Sequence, residues 1–112
     1  MTDLATHQAK LAGHLARFQG GGILNLIDGQ DVAADDWFET RSPAGDSLIA
    51  RVALGTAETV NRAAQAAKAA FPAWAAMPGT ARKAILHRIA DGIEARAEEI
   101  ALCECWDTGQ AW

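Results

Sequence analysis

Two thiols, three imidazoles and a scatter of carboxylates are the groups in this chain that could do chemistry. Cys103 and Cys105 form a C-x-C pair near the end of a helical pattern. A thiol nucleophile needs a lowered pKa and a nearby base. Glu104 is no such base, because successive helical residues point about 100° apart. The negative end of the helix dipole also opposes a thiolate there. Zinc takes about four ligands, and the pair supplies only part of such a set. Both cysteines therefore read as buried or half-buried helical thiols. His7 and His14 share a helix face two turns apart, too far for one metal ion without other ligands. His87 lies among Arg82, Lys83 and Arg88 and reads as part of a solvated flank. Glu98-Glu99 reads as a solvated charge run rather than an acid–base pair. Gly20-Gly21-Gly22 lacks both the G-x-G-x-x-G spacing and a G-K-[S/T] ending, so it is no phosphate loop. On these grounds the chain is assigned no catalytic, cofactor-binding or metal-ligating residue.

Trp37, Trp74, Trp106 and Trp112 could be taken for a stacking platform. Trp74 and Trp106 fall at or beside apolar stripes, which points to packing. Trp112 ends the given sequence, as an exposed aromatic on a helix tail, and suggests a truncated product or contact with a partner. The net charge of −4 and the lack of a basic patch argue against nucleic acid. No apolar stretch approaches the roughly 20 residues that span a bilayer. The N-terminus lacks the charged–apolar–small layout of a secretory signal. A cytoplasmic chain with neither membrane nor nucleic-acid partner is expected. Half of the 112 residues are hydrophobic, but 26 are Ala, so the core must be modest.

The elements that would position these groups follow from spacing. Leu4, Leu11, Leu15 and Phe18 mark an amphipathic helix over 3–18, with Asp3 as N-cap. The glycine run then reads as a flexible joint, and 1–22 as an extension, mobile or docked elsewhere. Asp28-Gly29 between apolar runs predicts a two-residue hairpin. Trp37–Arg41 leads into a Ser42-Pro43-Ala44-Gly45-Asp46 turn, with Gly45 free to go left-handed. Leu48, Ala50, Val52 and Leu54 alternate with their neighbours as a half-buried strand.

After Gly55 the period becomes helical. Thr56 is placed to cap, and Val60, Ala63, Ala64, Ala67, Phe71 and Trp74 trace one face. Pro72 is expected to end that helix. Pro78-Gly79-Thr80 breaks the chain and re-caps it. Ile85, Ile89, Ile93, Ala97, Ile100 and Ala101 form the next stripe, with a kink or break near Asp91-Gly92. Gly109 is the natural stop.

From Leu24 onward the sequence resembles the N-terminal part of the aldehyde dehydrogenase superfamily, block by block. Asn25–Gln30 is similar to its opening hairpin, and Ser42–Ala50 to its N-P-A-T-G-E-x-I-A segment. Gly55–Ala63 resembles G-T-A-E-D-V-D-R-A, and Ala69–Trp74 resembles A-A-F-P-x-W. Ile89–Ala101 resembles I-A-D-x-I-E-x-R-x-E-E-L-A, and Asp107–Gln110 resembles D-T-G-K. Ser42 and Gln110 depart from the pattern, where Asn and Lys are usual.

The resemblance implies an α+β piece: an N-terminal helix, a glycine joint, two small antiparallel hairpins and about three helices. That piece would belong to the α/β aldehyde dehydrogenase fold of the intact enzyme. Residues 1–22 are then an extension, and 23–112 the N-terminal part of the enzyme, with hairpins over 23–54 and helices over 56–108. The implied activity is NAD- or NADP-dependent oxidation of an aldehyde to an acid, through a thiohemiacetal and a thioester on a catalytic cysteine. That cysteine, its general-base Glu and the dinucleotide loops lie further along in the family. The chain alone is therefore expected to be inactive and to bind no cofactor. Its implied partner is the rest of the dehydrogenase or a homologous subunit, in a homo-oligomer. The competing expectation is a stand-alone truncated paralogue that self-associates or binds a partner through its apolar helix stripes.

Overall fold

The computed structural model describes residues 4–110. Asp28 and Gly29 both take left-handed backbone, at φ 53° and 71°. They close an antiparallel hairpin between β1 (Asn25–Ile27) and β2 (Gln30–Val32), as a two-residue turn of mirror-image type requires. A second antiparallel hairpin pairs β3 (Trp37–Arg41) with β4 (Leu48–Ala53). Its turn goes left-handed at Asp46, φ 55°, and not at Gly45 as expected. Two bonds fix Asp46 there. Its N–H donates to the Ser42 carbonyl at 2.8 Å, and its own carbonyl accepts from the Arg41 guanidinium at 2.9 Å. Asp enters this region more readily than most residues.

The alternation expected along β4 is broken by a bulge. Thr40 pairs with Ala50 and Arg41 with Leu48, so Ile49 is the extra residue. Ile49 and Ala50 are consequently both buried, while Leu48 is exposed.

Before the hairpins lies α1 (Leu4–Gln19). Its expected cap, Asp3, falls outside the described residues. The glycine run that follows ends in a fixed elbow, where a loose joint was expected. The Gly22 N–H donates to the Phe18 carbonyl at 3.0 Å, and Gly22 sits at φ 73°. A Cβ on Gly22 would lie 2.7 Å from both the Arg51 carbonyl oxygen and the Trp37 ring. Ile23 then bridges to β4 in parallel, donating to the Arg51 carbonyl and accepting from the Ala53 N–H, both at 2.8 Å. Thus β4 has a neighbour on each edge. α1 turns back over it and docks Leu11 and Leu15 into the core.

Three helices follow. Thr56 caps α2 (Ala57–Ala76) in a reciprocal box with Thr59. Pro72 does not end α2, contrary to expectation. Its fixed φ is already helical, so it forfeits one backbone bond near the end of the helix and the chain continues. α3 (Gly79–Ala95) starts directly after Pro78, with Thr80 inside its first turn. Gly92 stays helical, since about 1 kcal/mol against Ala does not outweigh its flanks. The break expected at Asp91-Gly92 comes at Arg96 instead, φ −116° and ψ 18°, and α4 (Ala97–Thr108) follows. Gly109 ends α4 in left-handed backbone, its N–H donating to the Cys105 carbonyl at 2.9 Å.

One core holds these parts. Leu11 and Leu15 of α1 meet Ile49 and Ala50 of β4 and Leu102 of α4, with Phe18, Ile23, Cys103 and Trp106 packed around them. Neither α2 nor α3 contains a buried residue. The stripes expected to be buried on these helices and at the start of α4 are exposed or at most half-buried. The molecule is correspondingly drawn out. Its radius of gyration is 17.5 Å, where a compact chain of this length has about 13 Å. Its accessible surface is 8216 Å², against roughly 5,900 Å² for a compact monomer of this mass. Among the described residues, no helix is long and apolar enough to cross a membrane.

The elbow makes a testable prediction. Gly22→Ala adds a methyl against backbone and an indole, and forces Ala into left-handed backbone. It is expected to cost about 1–3 kcal/mol in a urea melt. Gly20→Ala, with nothing within 4 Å of its added carbon, is expected to leave the midpoint nearly unchanged. Equal effects would show that the elbow does not constrain α1.

Candidate functional site

The two thiols sit where helix α4 meets the core. Both are free and half-buried. Burial pushes the Cys103 thiol above its ordinary pKa, and the Glu99 carboxylate pushes it the same way. A thiol held protonated is a poor nucleophile. Cys105 lines a different, shallow cavity with Leu102, Trp106 and Gly109. The sequence brings the two cysteines close, and the helix turns them to different surroundings.

The histidines do not converge. His7 and His14 lie along α1, and His87 is exposed on α3 beside Arg82 and Lys83. Among the described residues, no group of three or more His, Cys, Asp or Glu side chains is placed to hold a metal ion. Among the described residues, the tryptophans do not form a platform either. Trp37 lies under the Arg51 guanidinium, 5.3 Å from its ring centroid. Trp106 packs on the core, and Trp74 stays 38% exposed on α2. Trp112 lies outside the described residues. Gly22 is taken up by its close approach to Trp37 and Arg51. Within the glycine run only Gly22 is used in packing, since an added Cβ at Gly20 or Gly21 meets nothing within 4 Å.

Glu98 and Glu99, expected as a solvated charge run, both carry ion pairs. Both tie α4 to α1. Lys10 Nζ donates to Glu98 at 2.5 Å. Arg17 meets Glu99 at 2.7 Å, and Arg96 holds the same carboxylate through two bonds of 2.8 and 2.9 Å. The Arg96 hydrogen bond comes first in lowering the Glu99 carboxyl to a pKa of about 2. It acts against desolvation and with the charges of Arg17, Arg96 and His14. Glu98 is also lowered, first by its bond from Lys10. A signal for this seam was present: Lys10 and Arg17 are seven residues apart, on one face of α1. A further bond, from the Thr40 hydroxyl to Asp107 at 3.1 Å, ties β3 to α4.

What remains is a surface. Val60, Phe71, Leu86, Ile89 and Ile93 on α2 and α3 are each more than half exposed. Beside α4, a groove of about 540 Å³ is floored by Ile23, Phe38, Val52 and Ile100. Scattered exposed apolar residues are ordinary, but helical rows of them mark an interaction face. The apolar face of α2 and α3, with the groove beside α4, is the candidate functional site.

The seam between α1 and α4 predicts a pH dependence. The ordinary value for Glu99 is 4.5 and its folded value is about 2. Its contribution is therefore fully present above about pH 4.5 and is lost as pH falls toward 2. Glu99→Gln is expected to lower stability at neutral pH and to flatten the acid limb between those values. Urea melts at several pH values read both effects. Parallel acid limbs in the two proteins would rule the seam out.

The comparisons with known proteins point one way. The family model described as the aldehyde dehydrogenase family matches residues 30–112. The chain is 41% identical over 87 residues to the 5-carboxymethyl-2-hydroxymuconate semialdehyde dehydrogenase of Escherichia coli, covering 78% of this chain and 19% of that protein. It is 42% identical over 91 residues to the mitochondrial benzaldehyde dehydrogenase of Antirrhinum majus, covering 78% and 17%. Among solved structures, HpcC from Thermus thermophilus matches with a TM-score of 0.86 at 33% identity, over 92% of this chain and 20% of that one. The chain thus spans about a fifth of the length of these relatives.

Proposed function

The chain belongs to the aldehyde dehydrogenase family, and from that membership we propose that it is the N-terminal part of an NAD- or NADP-dependent enzyme that oxidises an aldehyde to a carboxylic acid. The observation that carries this reading is the uncovered apolar face of α2 and α3, on a fold that matches one fifth of a much longer relative. The surface exceeds that of a compact monomer by roughly 2,300 Å², the size of an obligate interface. The remainder of the dehydrogenase is the body that would cover it.

On this proposal the chain contributes structure. Its hairpins and helices form a shelf that the cofactor-binding and catalytic segments pack against. The dinucleotide, the nucleophilic thiol and the general base belong to those segments. No step of the reaction is assigned to Cys103, Cys105 or Glu98. A cytoplasmic location, homo-oligomeric assembly and the absence of nucleic-acid or membrane partners belong to the same proposal. The acidic balance of the chain supports the last of these.

Two measurements test it. The 112-residue chain alone is expected to show no aldehyde-dependent reduction of NAD or NADP, whereas the full dehydrogenase carrying it turns over. In that full enzyme, Cys103→Ala and Cys105→Ala are expected to leave turnover close to the parent. Loss of several orders of magnitude, the mark of a removed nucleophile, would place the chemistry in this chain.

The isolated chain is also expected to self-associate in sedimentation runs as concentration rises. Leu86→Ser with Ile89→Ser should suppress that association and leave the melting midpoint nearly unchanged, because neither side chain is buried. A chain that stays monomeric at every concentration would contradict the uncovered-interface reading.

A further inference from the structure

We draw no further inference here: the strongest candidate, the exposed apolar face of α2 and α3 with the groove beside α4, belongs to the interface already described, and nothing in the structure shows what else would cover it.

Discussion

Leu11 and Leu15 of α1 lie against Ile49, Ala50 and Leu102, and the other packed elements are arranged around that contact. The bulge at Ile49 is what makes it possible. A strand in strict alternation would send Ile49 and Ala50 to opposite faces. The slipped register lets both go inward, which gives α1 and α4 a common floor. β3 holds one edge of that floor and Ile23 the other. Because Gly22 alone fits under the Trp37 ring, the chain can turn from α1 into that edge in a single residue. The segment that looks like an appendage in the sequence therefore supplies much of the core.

Charge and burial play different parts in this contact. Burying one leucine side chain is worth about 1.5–3 kcal/mol. Exposed ion pairs contribute less, because water and salt screen them. Lys10–Glu98 is such a pair, with both side chains well exposed. It follows that the leucines hold α1 down and the seam of charges sets its register along α4. Glu99 is the partial exception. Its side chain is only 15% exposed and is shared between Arg17 and Arg96. Arg96 is also the residue at which the helix breaks, so one guanidinium marks the end of α3 and braces the first turn of α4.

Features set by a few adjacent residues were legible in the sequence. The Asp28-Gly29 turn, the Thr56 cap and the Gly109 stop each depend on local dihedrals and one or two hydrogen bonds. The errors came where two local preferences competed. At Asp46 a hydrogen-bonded Asp displaced a permissive Gly. At Pro72 the cost of one lost bond was smaller than that of ending a helix early. Gly92 stayed helical and the break fell at Arg96, whose guanidinium pairs with Glu99. Periodicity identified apolar faces on α2 and α3 and could not say whether anything covers them. Burial depends on the neighbours of a face, and a helical pattern carries no information about neighbours.

That distinction bears on function. An amphipathic helix is selected for its apolar face only if the face is buried in the working protein. α2 and α3 keep the pattern and lack the burial. The chain is drawn out for the same reason, since a helix pair with no floor beneath it cannot be pulled into a compact body. The surface in excess of a compact monomer, roughly 2,300 Å², is larger than a standard protein–protein interface. Phe71, Leu86 and Ile89 make that surface apolar. On the proposed function, the remainder of a dehydrogenase would cover this surface. The half-buried thiols fit that arrangement as packing groups: Cys103 gains a raised pKa from the same burial that secures α4 to the core.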